Sequence, residues 1–285
     1  MVMIKRSTNV DATDRKMAEA LIDNYKAARL RLSVRLKDRE SLKGVSLDAR
    51  RDVFTREGKD FIAFYQLLVK KPSPCSYGTE TMAVHINDMI LDRWGISLKE
   101  LRKDALSSCL PRACLYNLYE LAEELTVPDM SDTGKYRARN LFDDTVCQDS
   151  VSSHVNNLGV GTYVLTNQER FNGASLILLP EVLERIAGIL QDSYYILPSS
   201  IHEVLIVPLS VSPSAAELEE LVRSVNDTIV EDNDFLSDKV QFYDERIKDL
   251  FNASDYERRK SATLLEPASS NEGSDTIEKA NRHYS

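Results

Sequence analysis

Apolar positions fall along this chain in short blocks whose spacing changes several times. From Thr13 to about Glu40, Met17, Leu21, Ala28, Leu32 and Leu36 recur among many Lys and Arg, the spacing of a basic amphipathic helix. From Leu47 to Val69 a second helix is expected, with Val53, Phe54, Phe61, Phe64, Tyr65 and Leu68 apolar and Gly58 weakening it. Pro72 and Pro74 cannot continue a helix and mark a boundary. A strand follows at 81–86. The capping box Ser97-Leu98-Lys99-Glu100 then opens a helix over 97–108, and another helix is expected over 112–125.

Residues 127–160 are mostly polar, which reads as a mobile insertion or a linker, since so long an unstructured loop is uncommon within a domain. The stretch from Tyr163 to Pro208 reads as one supersecondary unit. Apolar runs at 163–166 and 174–179 flank Asn172-Gly173, a helix follows, and runs at 194–197 and 204–207 flank Pro198-Ser199-Ser200. The predicted order is strand, strand, helix, strand, strand. Ser214 and Glu217 repeat the capping box ahead of Leu218, Leu221, Val222 and Val225, and a helix or strand over 239–251 closes the domain. From Ala253 onward the chain turns to Ser, Asn, Glu and Lys, and a tail this poor in apolar surface is expected to be disordered.

The fold class expected is therefore α+β: a mostly antiparallel sheet flanked by helices. The organisation expected is a basic helical segment at 1–56, a domain at 57–252 carrying the polar insertion 127–160, and a disordered tail at 253–285. The length of 285 residues and 42% hydrophobic composition suffice for a normal core. No apolar run approaches the roughly 18 residues of a membrane span, and the N-terminal MVMIKRSTNV lacks the apolar block of a secretory signal. A cytoplasmic protein with no membrane association is the expectation. In that compartment Cys75, Cys109, Cys114 and Cys147 read as free thiols.

Charge changes the picture. The net charge of -9 conceals 17 Lys/Arg against 10 Asp/Glu in residues 1–71, and 19 against 35 in the remainder. An acidic body is a poor non-specific binder of nucleic acid, because phosphate binding needs clustered cations. The basic segment is where an acidic protein partner or a nucleic acid would be met.

Five segments carry a resemblance: DFIAFYQLLV (60–69), MAVHINDMILDRWGISLKELRKDAL (82–106), YVLTNQERFNGASLIL (163–178), ILPSSIHEVLIVP (196–208) and LSDKVQFYD (236–244). Over about residues 60–247 the chain resembles an uncharacterised family, common in anaerobic clostridial gut bacteria and known only as a domain of unknown function. The resemblance brings no mechanism with it and assigns no functional residue.

Candidate chemistry gathers in two turns. Ser199, Ser200, His202 and Glu203 offer a hydroxyl, an imidazole and a carboxylate at the tip of an expected hairpin, the groups a serine-type hydrolase needs. Neighbours in a strand point to opposite faces, however, so a Pro-Ser-Ser turn bonding its own backbone is the simpler reading. His202-Glu203 begins like a zinc-protease helix, but Ile206 stands where the second His is required. Asn167, Arg170 and Asn172 form a polar turn open to a small ligand, although Asn172-Gly173 is also ordinary hairpin chemistry. Cys109 and Cys114 lack the further ligands of a closed metal site, and no metal or cofactor is expected. Lone Trp94 reads as an anchor for the strand-to-helix turn. The leading expectation is a non-catalytic binding or interaction module. The alternatives are the hydrolase and nucleic-acid binding through the basic N-terminal helix.

Overall fold

The structure, a computed structural model, describes residues 12–48, 50–72, 79–118, 140–142 and 161–265. Most of the polar stretch 127–160, Cys75 and Cys147 lie outside the described residues.

Helix α1 (Ala12–Ile22) and the short α2 (Tyr25–Ala28) lead into β1 (Leu32–Asp38). The helix expected to run to Glu40 therefore stops early. Leu32, Val34 and Leu36 also recur at every second residue, with Ser33, Arg35 and Lys37 between them, and this alternation is realised as a strand. The helix expected over 47–69 is likewise replaced, by β2 (Phe54–Glu57) and β3 (Phe61–Pro72), with Gly58 at φ +58° in the turn between them. From Phe61 to Val69 nearly every residue of β3 is buried on both faces, so no alternation reaches the sequence.

β3 is the spine of a four-stranded antiparallel sheet. β1 lies along one edge, and β2 and then β4 (Thr79–His85) lie along the other. α3 (Asp88–Trp94) follows, capped by the Asn87 side chain, and α4 (Leu98–Cys109) carries the expected Ser97/Glu100 capping box. α4 turns Leu101, Ala105, Leu106 and Cys109 into the core beside β1. Trp94 ends α3, ahead of α4, and does not stand in the strand-to-helix turn expected for it: its indole N–H donates to the Ile22 carbonyl at 2.8 Å and its ring meets Tyr25 at 5.0 Å, fastening the N-terminal helices to α3.

The second sheet has six antiparallel strands in the order β10-β9-β7-β8-β6-β5. Its members are β5 (Ala113–Asn117), β6 (Tyr163–Asn167), β7 (Tyr194–Ser200), β8 (Glu203–Pro208), β9 (Gln241–Asp244) and β10 (Asp249–Asn252). Where a helix was expected from Arg112, β5 pairs with β6 from Ala113 to Asn117. Where a strand was expected at 174–179, Gly173–Leu178 forms a 3-10 helix that leads into α5 (Pro180–Leu190). One face of this sheet shares a core with the first through Leu165, Ile196, Ile206 and Tyr243. On the other face Tyr195, Leu197, Val207 and Phe242 pack beneath Ala215, Leu218 and Val222 of α6 (Ala215–Ile229), which starts at the Ser214/Glu217 capping box. Ala253–Leu265 forms α7 instead of opening the tail, because the Tyr256 ring packs 4.2 Å from that of Phe242 and its hydroxyl bonds Asp244; residues 266–285 lie outside the described residues. The fold is α+β with antiparallel sheets. No described helix is long and apolar enough to cross a membrane.

Candidate functional site

The two turns picked out by sequence meet each other, and they meet where the sheets join. Strand alternation puts Ser33 on the face of β1 opposite Leu32 and Val34, and register sets it directly across from Gln66 of β3. Asn172 closes over this pair. Its side-chain amide donates to Ser33 Oγ at 3.1 Å and to Gln66 Oε1 at 2.8 Å. Its backbone N–H donates to Nδ1 of His202 at 3.1 Å. His202 turns Nε2 toward Asp234, 3.5 Å away, and lays its ring 5.3 Å from Phe171.

The loop that presents Asn172 is tightly determined. Arg170 and Asn172 both hold left-handed backbone, at φ 50° and 56°, which side-chain-bearing residues rarely adopt. Asn167 stabilises it by accepting from the Phe171 amide at 3.1 Å and donating to the Phe171 carbonyl at 2.8 Å. A Cβ on Gly173 would stand 2.5 Å from Thr166 Oγ1 and 2.9 Å from Asn167 N, and closer still to the His202 carbonyl oxygen. Only glycine lets the loop pass this close to the β7–β8 turn.

Each sequence candidate now has a place. Asn167 and Asn172 are buried and spent on internal hydrogen bonds, except that Asn172 Oδ1 has no partner among the described residues. Arg170 lies 5.4 Å over the Tyr116 ring. Ser200 Oγ accepts from the His202 backbone amide at 3.1 Å, and Ser199 sits half-buried at the end of β7, where the register to β8 shifts. Both ring nitrogens of His202 thus face groups other than a serine hydroxyl: Asn172 N–H on one side and Asp234 on the other. Burial raises the Glu203 carboxyl above its ordinary value, with Arg170 nearby pulling the other way.

Cys109 and Cys114 are free, buried thiols. Burial pushes Cys114 up to about 11 and raises Cys109 too, so neither offers a reactive thiolate. No group of three or more His, Cys, Asp or Glu among the described residues is placed to hold a metal ion.

Ser33, Gln66 and Asp234 were not among the residues singled out by sequence. Gln66 was detectable: it is the lone amide in FIAFYQLLV, and a polar group inside a buried strand must find a partner. The partner, 106 residues away, was not. No curated protein and no solved structure matches the chain. A model described as a family of unknown function matches residues 3–245, and the chain accordingly belongs to the DUF5688 family.

Proposed function

We propose that this chain is a non-catalytic binding module of the cytosol that meets an acidic partner through its basic N-terminal part. The observation that carries this reading is a set of exposed cations without an ion-pair partner among the described residues. Arg15, Lys16, Lys26, Arg31, Arg39 and Lys59 are exposed and make no ion pair among the described residues. Four carboxylates of the same N-terminal part are meanwhile taken up by cations from later in the chain: Arg102 grips Glu57, Arg93 pairs with Asp23, and Lys239 bridges Glu40 and Asp60. Unpaired cations on one part of an acidic protein attract an anionic partner and speed its association.

The internal bonding of the serine and histidine candidates supports a role without catalysis. A hydrolase using Ser199 or Ser200 with His202 would first have to break the Asn172–His202 bond or turn the ring from Asp234. A serine-directed probe that labels the protein, and stops doing so in the Ser199→Ala, Ser200→Ala double variant, would restore that reading.

The binding reading is tested by reversing the charges at Arg15, Lys16, Lys26 and Arg31 to Glu. These side chains are exposed, so the core is untouched. A fluorescent poly-glutamate peptide should bind the parent chain in low salt and lose affinity by about tenfold or more in the variant. Equal affinity in both, or no binding to the parent, overturns the proposal. Stronger retention of a single-stranded oligonucleotide than of the peptide, with a steep salt dependence, would favour nucleic acid instead.

A further inference from the structure

The junction between the sheets is one stretch of a longer polar chain that reaches the surface at His85. His85 Nδ1 is bonded to the Asp52 carboxylate, so that nitrogen carries a proton and donates it. The other ring nitrogen, Nε2, faces Nε2 of Gln66 at 3.3 Å and must accept from it while the imidazole is neutral. Gln66 Oε1 then accepts from Asn172, whose remaining amide proton goes to Ser33. Each link fixes the sense of the next. The orientation of two buried amides is thereby set by the protonation of one half-exposed imidazole, whose side chain is 49% accessible.

We propose that His85 and the Gln66 and Asn172 amides form a proton-operated relay that rewrites the hydrogen bonds joining the two sheets. A proton arriving from solvent on His85 Nε2 makes that nitrogen a donor, facing a donor. Gln66 resolves the conflict by turning its amide over, so that Oε1 accepts from the imidazolium and Nε2 faces Asn172. Asn172 must turn in response. Its Oδ1, buried and without a partner among the described residues in the neutral arrangement, then accepts from Gln66 Nε2 and from the Ser33 hydroxyl, while Nδ2 takes that place. The links His85–Gln66, Gln66–Asn172 and Asn172–Ser33 survive in both arrangements with donor and acceptor exchanged. An orphaned group remains on Asn172 either way, so the described bonds favour neither arrangement by number, and the charge on His85 decides between them.

Among the described residues Asp52 is the charged group facing His85; β4 pairs with β3 alone, and β3 opposes the imidazole with the neutral Gln66. Beyond Asn172 stand His202 and then Asp234, a second imidazole whose titration has to be told apart from that of His85.

The test is a pH titration of the full chain, labelled with nitrogen-15, through the range in which imidazoles take up protons. It follows the His85 ring nitrogens and the side-chain amides of Gln66 and Asn172. The expected result is that both amides shift with the His85 midpoint, and that these shifts disappear in His85→Phe but persist in His202→Phe. An Asn172 side-chain amide that stays fixed while His85 titrates, or that still shifts in His85→Phe, overturns the relay. If His85→Phe does not fold, Asp52→Asn replaces it: loss of the carboxylate should displace all three midpoints together, and displacement of His85 alone overturns the proposal.

Discussion

Gly173 is a residue whose necessity comes from crowding. The atoms its missing Cβ would strike, the His202 carbonyl, Thr166 Oγ1 and the Asn167 amide, include two backbone groups that cannot swing aside. Gly173→Ala should therefore destabilise the protein by about 2–4 kcal/mol, the range of overpacked and strained sites, seen as a lower urea midpoint at unchanged slope. An unchanged midpoint would mean that the loop relaxes freely and that its two left-handed residues are not held by this contact. Glu57 gives a pH-dependent counterpart. Burial alone would raise its carboxyl, but the two-pronged Arg102 contact at 2.8 and 2.7 Å and the Thr55 hydroxyl outweigh burial and hold it below its ordinary 4.5. A carboxyl lowered in the folded state contributes stability above its unfolded value, and that contribution is lost as pH falls through the folded value. Glu57→Gln should thus be less stable than the parent near neutrality by about 1 kcal/mol, reduced because Arg102 is 40% exposed, and the two urea midpoints should converge as pH falls through the lowered folded value. A gap that persists in acid would mean that the pair contributes by packing and not by charge.

Elements that announce their own ends were legible in the sequence, and elements defined by distant partners were not. At α4 and α6 the Ser and the Glu three residues on satisfy each other's end of the helix, Ser97 with Glu100 and Ser214 with Glu217. Ser97→Ala and Ser214→Ala should each cost about 1 kcal/mol in thermal or urea unfolding, whereas Ser199→Ala, at a strand end, should cost less. The β7–β8 hairpin was readable for a related reason, since its turn residues are local. β1 and β3 were misread as helices. A short apolar run fits either period, and β3, buried on both faces, offers no alternation to decide between them. The 3-10 helix at Gly173–Leu178 was misread as a strand for the opposite reason: GASLIL is apolar enough for a strand, but the tight passage at Gly173 and the Ala174 N–H bond to the Ile201 carbonyl hold it against the β7–β8 turn. The candidate site divides the same way. His202 and Asn172 were visible as turn residues, while their bond to each other and the link from Asn172 to Ser33, 139 residues away, arise only when two sheets meet.

At the scale of the whole molecule the sheets define which parts of the chain fold together, and neither end of the folded unit falls where composition changes. Residues 32–38 and 54–57 supply two strands to β3, and Arg35 and Lys37 donate to the carbonyls of Asn233 and Phe235, across nearly 200 residues of sequence. A chain starting at Glu57 would leave β3 with one edge bare and the polar loop 231–237 without its donors. It should show no cooperative unfolding transition by circular dichroism. At the other end the family match stops at residue 245, inside the β9–β10 hairpin, yet β10 and α7 continue the fold. Tyr195 donates to Glu257 at 3.0 Å, the Ala215 amide donates to the same carboxylate at 3.1 Å, and Tyr256 covers Phe242. A chain ending after Ile247 keeps both sheets except β10, so it should still unfold cooperatively, but at a lower temperature and with stronger binding of an apolar dye to the uncovered Tyr195 and Phe242. The two truncations separate two roles of terminal sequence: the N-terminal strands complete a sheet, while the C-terminal helix covers a face already formed. A chain from Glu57 that melts cooperatively with the parent's far-ultraviolet spectrum would show that β1 and β2 are additions to the fold and not part of its foundation.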